Sequence, residues 1–120
     1  MIGRFSALIA LFLTASTCAG LAAPTPKPMT ATYAIEQYEK GSGTVQIYIV
    51  GVLDGIEAVN SDLESDNSKK VYCPPPRMAM TPGQELDILK RFVEKHPDLG
   101  TYPAFLIIEA SMKDAFPCPK

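Results

Sequence analysis

A chain of 120 residues, 47% apolar and 20% charged, holds material for one small domain with one core. Its formal net charge is −2, and no basic cluster exceeds a pair such as Lys69-Lys70, which excludes a nucleic-acid footprint. One histidine and three cysteines leave little from which to build a metal site.

Residues 1–23 read as a signal peptide. Arg4 supplies the positive start, Phe5 to Leu13 the apolar run, and Ala19-Gly20-Leu21-Ala22-Ala23 the small-residue end. The apolar run is short for a bilayer span, so export with cleavage after Ala22 or Ala23 is expected, without stable membrane insertion. Cys18 follows Ala15-Ser16-Thr17, a poor lipoprotein signal, and is expected to leave with the leader; a lipidated Cys18 is the alternative. Losing Arg4 leaves 10 of the 11 basic residues against 13 acidic ones, a net charge of −3 on about 97 residues. After export, Cys73 and Cys118 are expected to form one disulfide. The link would enclose 45 residues and contribute about 3–4 kcal/mol through loop closure.

Residues 24–29 (Pro-Thr-Pro-Lys-Pro-Met) form a proline-rich leader, extended and without an apolar anchor. The folded domain spans 30–120. Its first element is a short helix over about 30–40, capped by Thr30 or Thr32 and ended by Gly41-Ser42-Gly43. Val45-Gln46-Ile47-Tyr48-Ile49-Val50 taken alone could be a strand. The continuation, with Ile49, Val52, Leu53, Ile56 and Val59 at helical spacing and Tyr48 on the same side, favours one helix over about 44–60. Gly51 and Gly55, four apart, would let another backbone approach, or are merely tolerated. Residues 61–70 are polar: an exposed loop or the frayed helix end.

Val71-Tyr72-Cys73 and then Pro74-Pro75-Pro76 make a rigid lead into the second half. Arg77, Met78 and Met80 follow, either packed on the body or offered to a partner. Thr81-Pro82-Gly83-Gln84 is a capping box with proline at the first helical position. Leu86, Ile88, Leu89, Phe92 and Val93 form the apolar side of that helix, with Glu85, Asp87, Lys90, Arg91, Glu94 and Lys95 mostly outside. It stops at His96, before Pro97. After the turn Asp98-Leu99-Gly100, Thr101 is expected to cap the last helix, with Pro103 in its first turn. Phe105, Ile108, Met112 and Phe116 would form its inward stripe, widened by Leu106, Ile107 and Ala110. The fold class is therefore all-α, a small compact four-helix domain with one disulfide, Cys73–Cys118.

Nothing in this pattern demands catalysis. His96 sits alone at a helix end, and the serines have no histidine pattern around them. Gly41 and Gly43 lack the lysine and third glycine of a phosphate loop. Asp54 and Glu57, three apart on one helix, are the best candidate acid pair, and Asp54 more simply hydrogen-bonds a neighbouring segment. No catalytic residue, metal site or cofactor is expected.

The chain resembles the Rap1a/Tai family of bacterial immunity proteins. The resemblance is carried by Tyr48-Ile49-Val50-Gly51-Val52-Leu53-Asp54-Gly55, by Tyr72-Cys73-Pro74-Pro75 with the helix start Thr81 to Gln84 and the helix end His96-Pro97, and by Ala110 to Cys118. It implies a small helical periplasmic protein, often a homodimer. Characterised members bind a peptidoglycan-cleaving amidase delivered by a type VI secretion system and occlude its catalytic cleft. The triple proline and Met78/Met80 depart from the short turn usual at that place, and some relatives carry a further cysteine near the position of Gln46. On this reading the partner is a cell-wall amidase toxin, and the loops 62–70 and 76–80 are the candidate contact surface, led by Arg77, Met78 and Met80. The alternative is a secreted structural or accessory protein of the same fold with another protein partner.

Overall fold

The computed structural model describes residues 27–120, so the signal peptide expected at 1–23 lies outside the described residues. Four α-helices follow one another: α1 (Ala31–Glu39), α2 (Gly43–Ser65), α3 (Pro82–Lys95) and α4 (Ala104–Ala115), with a 3-10 helix (Pro97–Thr101) between the last two. The 44–50 stretch is helical, because the inward spacing of Val45, Ile49 and Leu53 outweighs its local β propensity.

The helix ends are set by local chemistry. Thr30 accepts the Tyr33 N–H at the start of α1. At its end Gly41 takes φ 79°, and the N–H groups of Gly41 and Ser42 return to the carbonyls of Tyr38 and Gln37, a Schellman closure. The α3 capping box forms as expected: Thr81 Oγ1 accepts the Gln84 N–H at 3.3 Å and Gln84 Oε1 accepts the Thr81 N–H at 2.9 Å. The helix α2, expected to end near Asn60, runs on to Ser65. It closes with a second Schellman motif, in which Asn67 at φ 53° takes the glycine place and Ser68 N–H reaches Leu63 O at 2.7 Å. Asparagine tolerates the left-handed region, so this stop is written in one residue beyond the end of the apolar stripe.

The core joins Ala31 and Ala34 of α1, Val45, Ile49 and Leu53 of α2, Leu86, Ile88, Leu89 and Phe92 of α3, and Ala104, Ile107, Ile108 and Met112 of α4. The two fully buried alanines let α1 lie close against its neighbours. Residues 29–31 pair antiparallel with 102–104: Ala31 N–H donates to Tyr102 O at 3.0 Å and Ala104 N–H to Met29 O at 2.7 Å. That pairing satisfies the first free N–H of two helices at once.

Four expectations change here. Thr101 does not cap α4; it ends the 3-10 helix, its hydroxyl donating to Asp98 O, and the cap position is Pro103. In α4 the stripe rotates: Ala104, Ile107, Ile108, Ser111 and Met112 are buried, while Phe105 and Leu106 are exposed. Gly51 and Gly55 admit no backbone. A Cβ at either would meet open space, and the two glycines instead floor a groove of about 460 Å³ against Phe105 and Glu109 of α4. Val59, expected inside, stands half-exposed at its rim.

The close approach occurs at Gly100. A Cβ there would overlap Thr32 Oγ1 of α1 and press on Val93 Cγ1 at 3.2 Å. Gly100→Ala is expected to lower stability by about 1–2 kcal/mol through overpacking. Adding Thr32→Ala should recover most of that loss in urea denaturation. A neutral Gly100→Ala would mean that the approach is not tight.

Candidate functional site

The centre of interest is the segment 71–80 and what holds it. Its stem, Val71-Tyr72-Cys73, is fixed from three directions. Asn60, buried on α2, accepts the Val71 N–H through Oδ1 at 2.7 Å and donates Nδ2–H to Tyr72 O at 3.1 Å. Cys73 is joined to Cys118 by the expected disulfide, and its N–H donates to Phe116 O at 2.8 Å. The Tyr72 ring, 1% exposed, packs with its centroid 6.3 Å from that of Phe116, and its hydroxyl donates to Glu57 Oε1.

Beyond the stem the chain turns sharply. Met78 N–H returns to Pro75 O at 3.1 Å, with Pro76 and Arg77 as the central residues. Arg77 adopts φ 67°, the place of a type II turn that glycine ordinarily fills. Of the three residues singled out for partner binding, Met78 and Met80 are brought together on one wall of a groove of about 540 Å³. Arg91, Phe92 and Lys95 of α3, Asp114 of α4 and Phe116 just beyond it also line the groove. Arg77 does not line this groove; it is exposed at the outer corner of the turn. Residues 62–65 belong to the last turn of α2, and Lys70 folds back to pair with Glu64 at 2.8 Å.

Glu57, not Asp54, makes the hydrogen bond to the neighbouring segment. Glu85, expected outside, is half-buried in the first turn of α3. Its carboxyl is pushed up to about 7, first by burial and then by the negative charges of Asp54 and Glu57. Burial, and then the bond to Glu57, hold the Tyr72 phenol far above its ordinary range.

His96 stacks on Phe92, ring centroids 4.8 Å apart, at the end of α3. Among the described residues no group of three or more His, Cys, Asp or Glu side chains could hold a metal ion. No described helix is long and apolar enough to cross a membrane.

Sequence reasoning missed Asn60, Glu85 and the role of Tyr72. Asn60 did carry a signal: it continues the inward register of Ile49 and Leu53, where an amide must find partners. Glu85 carried none, since its environment comes from α2.

The fold and this site define a disulfide-tied all-α module that presents a stiff, proline-rich loop. A family model described as Rap1a immunity proteins matches residues 14–118, and the chain belongs to that family. No curated protein and no solved structure matches it.

Proposed function

We propose that the protein is a periplasmic immunity protein that binds a secreted peptidoglycan amidase and blocks its cleft sterically, with the loop 74–80 and the adjoining groove as the contact surface. The observation that carries this reading is the loop's construction. Its stem is tied down by Asn60, the disulfide and Tyr72, while its tip holds Arg77 in the left-handed region and leaves Met78 45% exposed. A left-handed non-glycine residue costs about 1–2 kcal/mol, and backbone strain of this kind collects at binding sites. Arginine and methionine are both enriched in protein interfaces. No reacting group is required, since occlusion needs only a rigid body and a complementary edge.

The test is capture with the tagged protein from a periplasmic extract of the source organism. One near-stoichiometric cell-wall hydrolase, inactive in the complex, is the expected result. A folded, disulfide-bonded bait that recovers nothing above background favours the structural or accessory role. Against that partner, Arg77→Gly should separate fold from function. The fold should keep or gain stability, by up to about 1 kcal/mol, as the left-handed strain is relieved. Affinity should fall about tenfold or more, the loss of a central interface arginine. Undiminished affinity would remove Arg77 from the interface.

A homodimer belongs to the same proposal. The exposed apolar residues Ile47, Val59, Phe105 and Leu106 on α2 and α4 are the surface it would cover, and sedimentation velocity decides it.

A further inference from the structure

Four of the five methionines lie among the described residues, and the fold treats them unequally. Met112 is 1% exposed in the core, and Met29 and Met80 are partly buried against it. Met78 is 45% exposed and is the one described methionine that solvent reaches freely. We propose that Met78 is an oxidation site on the contact loop: a peroxide converts its thioether to a sulfoxide, and the polar group so made breaks up the apolar lining of the groove beside the loop.

The fold selects this side chain in two ways. Other readily oxidised groups are out of play. The chain has no tryptophan, and Cys73 and Cys118 are bonded to each other, so among the described residues no free thiol competes for the oxidant. A thioether needs no ionisation to react, so access to its sulfur decides the rate. Access at Met78 is built into the backbone. Three prolines stiffen the approach, the Met78 N–H donates to Pro75 O at 3.1 Å, and the stem behind the turn is tied by Asn60 and the disulfide. The loop therefore cannot withdraw Met78 into the core.

The step balances with peroxide alone. The sulfur lone pair takes one peroxide oxygen, the O–O bond breaks as the S–O bond forms, and the other oxygen leaves as water after proton transfer. Sulfur gives up two electrons and the peroxide accepts them. The product is polar and chiral where the thioether was apolar and flexible. Met78 shares its groove with Met80, Ile88, Phe92 and Phe116, all apolar, and a sulfoxide laid against them loses water without gaining a partner from them. The oxidised side chain turns to solvent and the groove loses part of its lining. That oxidation also weakens partner binding rests on the proposed binding role of this loop; the oxidation itself does not.

The test needs no partner. The whole folded protein is treated with dilute hydrogen peroxide, and oxidation of each methionine is timed by peptide mapping. Met78 should oxidise about tenfold faster than Met112, and ahead of Met29 and Met80. In urea the four rates should converge, because the unfolded chain exposes them alike. Met78→Leu conserves volume, so it should fold as the wild type does and should lack the fast phase. In the oxidised wild type, NMR resonances of Ile88, Phe92 and Phe116 should shift, while those of Val45, which does not line the groove, should stay. Another methionine that oxidises as fast as Met78 in the folded protein overturns the proposal. So does a spread of rates that survives in urea, a fast phase that persists in Met78→Leu, or a set of groove resonances that oxidation leaves in place. Each of those results leaves the amidase-binding proposal standing, and failure to capture a partner leaves the oxidation site standing.

Discussion

Replacing Cys73 and Cys118 together by serine is expected to lower the free energy of unfolding by about 3–4 kcal/mol, the loop-closure value for a link across a sequence separation of 45 residues. Small domains are stable by about 5–15 kcal/mol, so the change would be visible as a large fall in urea midpoint. The folded structure should survive it. Cys73 N–H still donates to Phe116 O at 2.8 Å, and the Tyr72 and Phe116 rings still pack, so the two cysteine positions are neighbours without the covalent bond. The loss therefore belongs to the unfolded chain, which gains freedom when the loop opens, and the denaturant slope should rise with it. A loss under about 1 kcal/mol with an unchanged slope would falsify the loop-closure account. The proposed binding role carries the same dependence, because the link ties the stem of the exposed loop to the end of α4.

The parts of the fold legible in the sequence are those written in local chemistry. Thr30, Gly41 and the Thr81–Gln84 box each mark a helix end through bonds that span a few residues, and all three stand where they were expected. The disulfide was legible for a different reason: with Cys18 assigned to the leader, two thiols remained for one bond. What depends on a distant neighbour was not legible. Gly51-x-x-x-Gly55 looks like a seat for a second backbone, but a Cβ at either would meet open space; the close approach is at Gly100, made by the side chains of Thr32 on α1 and Val93 on α3. At the start of α4 nearly every residue is apolar, so spacing could not say that Phe105 faces out and Ala104 in. The end of α2 was missed because the apolar stripe fades before the Asn67 stop is reached. At the candidate site, Arg77, Met78 and Met80 were named from composition alone. The turn that sets Arg77 apart from the two methionines is a property of backbone geometry.

Asn60→Ala is expected to cost about 3 kcal/mol, nearly as much as the disulfide, although it removes one small polar side chain. Two backbone groups depend on it: the Val71 N–H, 2.7 Å from Oδ1, and the Tyr72 carbonyl, 3.1 Å from Nδ2. The residue is 4% exposed, so alanine leaves a small void that water reaches poorly, and each abandoned group costs about 1–3 kcal/mol. Asn60→Asp separates the two bonds. Its carboxylate can still accept from Val71 but sets negative charge against the Tyr72 carbonyl, so at neutral pH it should be at least as damaging as alanine. Burial raises the carboxyl's pKa in the folded state, so the deficit should shrink as pH falls and the protonated acid donates to Tyr72 O. Equal losses for Ala and Asp at every pH would show that packing matters there and the hydrogen bonds do not. Asn60 and the disulfide grip the same three residues, so their effects should not add. With Cys73 and Cys118 replaced, the stem can leave α2 without unfolding the domain, and Asn60→Ala should then cost about half as much, near the net worth of its hydrogen bonds. A full, additive loss in that background would mean that the stem stays docked without its covalent tie, held by the Tyr72 side chain and the residue-73 N–H bond to Phe116 O.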